Sequence, residues 1–237
     1  MDVIVLAGGF GTRLRPWTDG RAKPLLPLLD KTLLERVVEV VPAEMVDRVV
    51  VAAGYGIGEM ESFFADASLP YEVVLSVEEK ALGTGGAIAL ARPHLTGEGP
   101  VLVLNGDLVS SVDVAALGAH HRTTGATTTL SLWEVEDPSR FGVCELDDAG
   151  FIRRFQEKPE RGTEFSNLIN AGCYLIERDA LEREKIYADT KWATQQIGRL
   201  GVGLIDIVLW DIAGKYHNAP IYQLLGGHRR RLPTYAS

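Results

Sequence analysis

The chain has 237 residues, of which 46% are hydrophobic, and this is enough for one large domain or for one domain with an appendage. Its formal net charge of −8 argues against nucleic acid as the main partner, because no basic stripe offsets the acidic excess. Only two cysteines, no leader signature and no apolar run of membrane-spanning length predict a cytoplasmic protein without a membrane partner.

Short apolar runs alternate with helical patterns through the first half of the chain. Strands are predicted at residues 3–7, 48–52, 72–76, 101–104 and 127–133. Helices are predicted near residues 32–41, 58–65, 85–90 and 114–122. This alternation predicts an α/β fold with a Rossmann-like mixed, mainly parallel sheet and helices on both of its faces. The ligand site of such a sheet lies at the carboxyl ends of the strands.

The pattern is different in the second half of the chain. Residues 141–146 and 151–156, joined by a four-residue turn, predict a hairpin, and residues 169–176 predict a further strand. A helix is predicted to begin at residues 178–184. His120 and His121 diverge as neighbours on a helix, so we exclude a metal pair and interpret both as surface residues.

The first strand leads directly into a glycine-rich segment that is followed by several cations. The segment contains Gly8, Gly9 and Gly11, and the cations are Arg13, Arg15 and Lys23. Glycines let backbone N–H groups close on a polyanion, and the cations supply charge. The third glycine of the dinucleotide-binding pattern and the G-x-x-x-x-G-K-[ST] pattern are both missing. An ordinary turn would explain the glycines, but it would not explain the cations.

Asp107 follows an apolar run as the last residue of Asn105-Gly106-Asp107. A carboxylate at the carboxyl end of a strand suits Mg²⁺ that is shared with phosphate oxygens. The alternative is a turn or helix N-cap aspartate. The metal role is favoured, because the apolar strand before Asp107 places it at the ligand edge of the sheet.

Five motifs occur in the same order as in the sugar-phosphate nucleotidyltransferases, and residues 1 to about 181 resemble this family. The motifs are residues 3–28, Leu82-Gly83-Thr84-Gly85-Gly86-Ala87, Leu104-Asn105-Gly106-Asp107, Phe155-Gln156-Glu157-Lys158-Pro159 and Ile169-Asn170-Ala171-Gly172. The resemblance implies nucleotidyl transfer from a nucleoside triphosphate to a sugar 1-phosphate, with Mg²⁺ as cofactor and pyrophosphate as the second product.

The resemblance also implies roles for individual residues. Arg13, Lys23 and Asp107 would be catalytic, with Asp107 as the metal ligand. The nucleotide would be bound by Leu6, Ala7, Gly8, Gly9, Gly11, Thr12, Gly83 and Thr84. The sugar phosphate would be bound by Asn105, Gly142, Glu157, Lys158 and Asn170. Neighbouring strand residues point to opposite faces, so a bulge or Pro159 must redirect Glu157 or Lys158. A plain surface ion pair is the alternative for these two.

Within the family, residues 105–107 and 166–172 look most similar to the mannose-1-phosphate guanylyltransferases. This likeness favours GTP and mannose 1-phosphate as substrates and GDP-mannose as the product. Glucose-1-phosphate uridylyl- and thymidylyltransferases are the nearest rivals, and the choice of nucleotide and sugar stays open at this point.

The chain is predicted to change character after about residue 184. Residues 185–237 predict a helical appendage and resemble a fragment of the mandelate racemase/muconate lactonizing enzymes. Residues 1–184 would then be a nucleotidyltransferase domain without the family's later W-x-D-x-G-T-P segment, which carries a second metal aspartate. Three hypotheses follow: an active enzyme, a binder with little activity, or a non-functional fusion product. The apolar run 204–212 must bury against the first domain, pair with a second copy in a homo-oligomer, or stay exposed as an aggregation-prone patch.

Overall fold

The computed structural model describes residues 1–9, 11, 14–79 and 82–181, and a sheet of eight strands organises this part of the chain. The strands are β1 Asp2–Leu6, β2 Pro27–Leu28, β3 Lys31–Thr32, β4 Arg48–Ala53, β5 Glu72–Val77, β6 Val101–Asn105, β7 Thr128–Glu134, β8 Gly142–Leu146, β9 Ile152–Glu157 and β10 Leu168–Ile176. The helices are α1 Leu33–Val38, α2 Ile57–Asp66, α3 Gly83–Ala91 and α4 Val114–Thr124. β2 and β3 pair only with each other within this part.

The large sheet has the order β5-β4-β1-β6-β10-β8-β9, with β7 on the other edge of β10. β5, β4, β1 and β6 are parallel, whereas β10 is antiparallel to β6, β7 and β8. β8 and β9 form the predicted hairpin. Against β7, β10 shifts register between Asn170 and Tyr174. On its other edge, the first residues of β10 pair with β8 and its last residues pair with β6. The predicted mixed sheet is confirmed.

Alternation along β1 explains why helices cover both faces of the sheet. Val3 and Val5 belong to one buried cluster, with side chains of α1 and α2, whereas Ile4 belongs to a second cluster, with side chains of α3. Successive strand residues point to opposite faces, so this fully buried strand is apolar throughout its middle. The predicted placement of helices on both faces is confirmed.

His121 corrects one sequence-based interpretation. Its side chain is 1% exposed, with Nδ1 2.7 Å from Thr129 Oγ1 and Nε2 3.1 Å from Glu177 Oε1. Val114, Gly118 and His121 form the buried stripe of α4, so helical periodicity brings His121 inward. Hydrogen bonds to both ring nitrogens compensate for its burial. His120 is exposed, as predicted.

Of the predicted helix at residues 178–184, the structure describes a 3₁₀ turn over Arg178–Leu181. The predicted appendage at 185–237 lies outside the described residues. In the described part of the chain, no helix combines the length and the apolar character needed to cross a membrane.

A buried carboxylate anchors the amino end of β1. Asp2 Oδ2 accepts hydrogen bonds from Thr96 N at 2.8 Å, Gly97 N at 2.9 Å and Arg178 Nη2 at 2.7 Å. Burial alone would raise the pKa of Asp2, but the bond from Arg178 and the backbone donors outweigh it and hold the pKa below its ordinary value. The contact ties β1 to the loop before β6 and to the turn after β10.

Replacement of Asp2 by Asn is expected to lower the free energy of unfolding by about 3 kcal/mol, because Arg178 would lose its ionic partner. Urea titration at neutral pH measures this loss. Asp47→Asn is the matched control, since the exposed Asp47 pairs with the terminal amine and should matter by less than about 1 kcal/mol.

Wild type and Asp2→Asn can also be compared at different pH values, as a test of the Asp2 carboxylate. The folded-state pKa of Asp2 lies below its unfolded value, so its contribution is present above about pH 4 and is lost as the pH falls through the folded pKa. The difference in stability between wild type and Asp2→Asn should therefore shrink in acid. A constant difference from neutral pH down to about pH 3 would contradict the role of the carboxylate.

Candidate active site

The carboxyl ends of the parallel strands form one edge that carries glycines and charged side chains. β1 is followed by Gly8 and Gly9, β5 is followed by Glu78, and β6 ends in Asn105 before Gly106 and Asp107. Because the strands are parallel, these ends lie at the same edge of the sheet. The residues that the sequence assigns to the site after β1 and β6 therefore lie at one edge of the sheet.

Lys23 and Asp107 meet at this edge, although 84 residues separate them in the chain. Lys23 Nζ donates a hydrogen bond to Asp107 Oδ2 at 2.7 Å. The Lys23 side chain is 19% exposed, whereas that of Asp107 is 59% exposed, so the carboxylate stays accessible to solvent. The structure therefore brings together two of the three residues predicted to be catalytic. The third, Arg13, and the predicted nucleotide ligand Thr12 lie outside the described residues.

Two glycines allow a close approach of backbone at this edge. Gly106 N donates to Leu6 O at 2.9 Å, and a Cβ on Gly106 would lie 2.6 Å from that same oxygen. A Cβ on Gly8 would lie 3.0 Å from Glu78 Oε1. Leu6 and Ala7 are half-buried and lead into the exposed Gly8 and Gly9. The glycines are required here for packing as well as for access to the backbone.

Gly11 is the last described residue before Thr12 and Arg13. It has φ +63°, a conformation that favours glycine, and its carbonyl oxygen accepts a hydrogen bond from Thr18 Oγ1 at 3.0 Å. This bond brings Thr18 next to Gly11, which lies seven residues earlier in the chain.

Glu78 is a carboxylate at this edge that the sequence analysis missed. It is 8% exposed, and its Oε2 accepts a hydrogen bond from Leu82 N at 3.1 Å. Gly83, with φ +71°, and Thr84 then open α3. The bond therefore places the predicted nucleotide residues Gly83 and Thr84 next to Glu78. The available signal was a polar residue directly after an apolar strand whose end faces the ligand edge.

A second group of polar side chains lies where β6 and β10 meet. Asn170 Nδ2 donates to Tyr174 Oη at 2.8 Å, and Asn170 Oδ1 accepts from Gly172 N at 2.9 Å. Gly172 has φ +66°, and a Cβ there would lie 2.6 Å from Asn105 Nδ2. Burial raises the pKa of Tyr174 above its ordinary value, although hydrogen bonds with Asn170 and Asn105 partly oppose this rise. The structure thus joins the predicted residues Asn105 and Asn170 through Tyr174, which the sequence analysis also missed.

Glu157 and Lys158 lie at the end of β9. Lys158 has φ +44°, and its Nζ lies 3.5 Å from Glu157 Oε1. The backbone of Lys158 is left-handed, so the regular alternation of β9 ends there. A Cβ on Gly142 would lie 2.9 Å from Glu157 Oε2, so the glycine leaves room for this carboxylate. Both charged side chains are largely exposed, a geometry that the surface ion pair alternative also allows.

The metal-binding capacity of the site can be judged from its donors. No group of three or more His, Cys, Asp and Glu side chains within residues 1–9, 11, 14–79 and 82–181 is placed to hold a metal ion. Mg²⁺ in nucleotide sites is commonly bound by one or two carboxylates together with phosphate oxygens and water. The exposed carboxylate of Asp107 fits that pattern.

Comparison with known proteins gives the family context. Residues 2–200 match the family model described as "Nucleotidyl transferase". The chain is 38% identical over 191 residues to a probable mannose-1-phosphate guanylyltransferase 2 of Arabidopsis thaliana, covering 77% of this chain and 52% of that protein. It is 37% identical over 184 residues to the mannose-1-phosphate guanylyltransferase of Mycobacterium tuberculosis, covering 77% of this chain and 50% of that protein. The chain thus spans about half the length of these relatives.

A solved structure also resembles this chain. HddC from Yersinia pseudotuberculosis, complexed with GMP-PN, superposes with a TM-score of 0.63 and 28% sequence identity. The superposition covers 76% of this chain and 78% of HddC.

The packing at Gly106 gives a direct test of the scaffold. Gly106→Ala is expected to lower the free energy of unfolding by about 2 kcal/mol, because its methyl group would collide with the backbone oxygen of Leu6. Gly99→Ala is the control, since a Cβ at this exposed position meets no atom within 4 Å. Chemical unfolding of both variants measures the difference. Equal stabilities would show that β1 and β6 can move apart without cost.

Proposed function

Because the chain belongs to the nucleotidyl transferase family, we propose that it transfers a nucleotidyl group from a nucleoside triphosphate to a sugar 1-phosphate. A sugar phosphate oxygen forms a bond to the α-phosphorus, the bond from that phosphorus to the β-phosphate oxygen breaks, and pyrophosphate leaves. The observation that carries this proposal is the contact between Lys23 and the exposed Asp107 at the carboxyl edge of the sheet.

The triphosphate is assigned to the end of β1. Gly8, Gly9, Gly11 and Thr12 offer backbone or hydroxyl donors, and Lys23 and Arg13 neutralise charge on the transferring and leaving phosphates. Asp107 holds Mg²⁺, and the ion supplies charge stabilisation on the phosphate oxygens when it is bound. No protein nucleophile takes part, since positioning and charge neutralisation are sufficient for this class of transfer.

The base is assigned to the space beside Glu78, Gly83 and Thr84. Guanine presents two neighbouring donors, N1–H and the N2 amino group, which match the acceptor oxygens of an ionised carboxylate. Adenine presents an acceptor at N1 instead, and uracil and thymine each present one donor between two acceptors. Glu78 therefore supports GTP over the other nucleotides, in agreement with the names of the guanylyltransferase relatives.

The sugar 1-phosphate is assigned to the group at the junction of β6 and β10. Asn105 and Asn170 offer amide groups to sugar hydroxyls, and Tyr174 links these two side chains. Glu157 accepts from further hydroxyls, Lys158 pairs with the sugar phosphate, and Gly142 leaves the room that Glu157 needs. Mannose 1-phosphate is the favoured sugar and GDP-mannose the favoured product.

We further propose that residues 1–184 form the nucleotidyltransferase domain of a cytoplasmic protein and that residues 185–237 form a helical unit without catalytic groups. The resemblance of this unit to the mandelate racemase/muconate lactonizing enzymes belongs to the proposal, as does self-association through its apolar residues. A binder with little turnover is the second candidate, because the described residues hold no group of three or more side chains placed to bind a metal ion.

Nucleotide binding tests the assignment of the base. Calorimetric titration with GTP, dTTP, UTP and ATP in the presence of Mg²⁺ should give the tightest binding for GTP. Glu78→Gln should weaken GTP binding by about tenfold, because one acceptor oxygen becomes a donor. Glu79→Gln is the matched control at the next, exposed position and should bind as wild type. Absence of heat with all four nucleotides on folded protein would refute the proposed function.

Catalysis is tested by pyrophosphate release. Arg13→Ala, Lys23→Ala and Asp107→Asn should each lower turnover by about a hundredfold or more, since each removes charge stabilisation of the transferring phosphates. Lys158→Ala should mainly weaken the use of sugar phosphate. If Lys158→Ala instead loses as much nucleotide affinity as Lys23→Ala, the assignment of Lys158 is wrong. Nucleotide binding without any pyrophosphate release would favour the second candidate.

A further inference from the structure

We propose that Glu59, in the first turn of α2, is a positioning residue that holds Lys23 within reach of Asp107. None of the sequence motifs contains Glu59. The consequence of this role for nucleotide binding rests on the proposed function, but the placement of Lys23 can be measured without nucleotide.

The contact is made to the residue directly before Lys23. Ala22 N donates a hydrogen bond to Glu59 Oε2 at 2.6 Å, and Arg21 Nε lies 3.6 Å from Glu59 Oε1. One carboxylate therefore engages the backbone and the side chain of two successive residues. Because Ala22 is buried, its N–H would lose a partner that water cannot readily replace.

Gly56 brings α2 close enough for this contact. It caps the amino end of α2 with φ +69°, and a Cβ there would lie 2.6 Å from the Cβ of Ala22. The first turn of α2 and the backbone at Ala22 are thus in direct contact. Gly56 has no side chain and so lets α2 approach Ala22, and the Glu59 carboxylate then accepts the hydrogen bond from Ala22 N.

The chain beyond Ala22 is also held. Lys23 begins a 3₁₀ turn with Pro24, Leu25 N donates to Ala22 O at 2.9 Å, and the Leu25 side chain is buried. The backbone of Lys23 is therefore fixed on both sides. Its four-carbon side chain has a limited reach, so the position of the backbone decides whether Nζ meets Asp107.

The relative strengths of the two contacts indicate that Glu59, more than the ion pair between Lys23 and Asp107, holds Lys23 in place. An ion pair with a carboxylate as exposed as that of Asp107 contributes little to stability, so it cannot by itself hold a long lysine side chain in one place. A hydrogen bond from a buried N–H to a carboxylate contributes more. Lys23 is thus held in place mainly by the hydrogen bond between Ala22 and Glu59 of α2.

A simpler role for Glu59 must be separated from this one. A carboxylate in the first turn of a helix interacts favourably with the helix dipole whatever it contacts elsewhere. Two conservative variants distinguish the roles. Glu59→Asp keeps the charge but shortens the side chain by one methylene, whereas Glu59→Gln keeps an acceptor oxygen at full length but loses the charge. If Glu59 positions Lys23, Glu59→Asp should misplace the Lys23 amine and Glu59→Gln should leave it nearly in place. If Glu59 acts only on the helix dipole, Glu59→Gln should have the larger effect and Glu59→Asp the smaller one.

The first measurement uses the full chain without nucleotide. The rate at which acetic anhydride modifies the Lys23 amine, followed by peptide mass spectrometry, should rise about fivefold in Glu59→Asp and stay near the wild-type rate in Glu59→Gln. Glu61→Asp is the matched control, since Glu61 is exposed two residues further along α2. An unchanged rate in Glu59→Asp, or an equal rise in Glu61→Asp, would overturn the proposal.

The second measurement links the position of Lys23 to its use. Glu59→Asp should weaken binding of GTP with Mg²⁺ by about tenfold in wild-type background and leave it unchanged in Lys23→Met, because Lys23 would no longer carry the effect. Equal losses in both backgrounds would overturn the positioning role. If wild type binds no nucleotide, the proposed function fails, and the amine modification still decides the role of Glu59.

Discussion

The register of β1 against β6 places Val3 opposite Leu102 and Leu6 opposite Asn105. This parallel pairing brings the glycine segment after β1 beside Asn105-Gly106-Asp107, which lies about a hundred residues further along the chain. Lys23 then reaches Asp107 across the same edge. Hydrogen bonds between parallel strands allow only discrete shifts of register, so one strand pair determines which side chains can meet.

The antiparallel half of the sheet adds the second group of polar side chains. β10 pairs with β6 through residues 173–176, and its pairing with β7 on the other edge shifts register between Asn170 and Tyr174. The shift, together with the left-handed Gly172, turns Asn170 back toward Tyr174. Irregular backbone of this kind is common where a sheet must re-aim a side chain. The two halves of the sheet thus bring two different sets of polar groups to neighbouring positions.

Local sequence patterns predicted the strands of the large sheet and the four helices, but not the short β2 and β3. Several site contacts depend on tertiary structure. The predicted strand 3–7 is shifted by only one residue from Asp2–Leu6. It could be predicted because an unbroken apolar run marks a strand that is buried on both faces. Glu78 lies directly after an apolar strand, which is a local signal of its place at the ligand edge. Its nearness to Gly8 and the contact of Tyr174 with Asn105 depend instead on other elements of the fold. The position of His121 on a buried stripe likewise depends on which face of α4 meets the sheet. Arg13 and Thr12, predicted from the motif, still depend on the motif alone.

Two aspartates at opposite ends of the parallel strands show how one residue type serves two physical purposes. Asp2, at the amino end of β1, is buried and accepts hydrogen bonds from Thr96, Gly97 and Arg178. With its lone pairs engaged by fixed donors, this carboxylate contributes to stability. Asp107, after the carboxyl end of β6, is mostly exposed and meets a lysine whose charge a ligand could also use. An exposed ion pair costs little to separate, so this second carboxylate remains available for ligand chemistry.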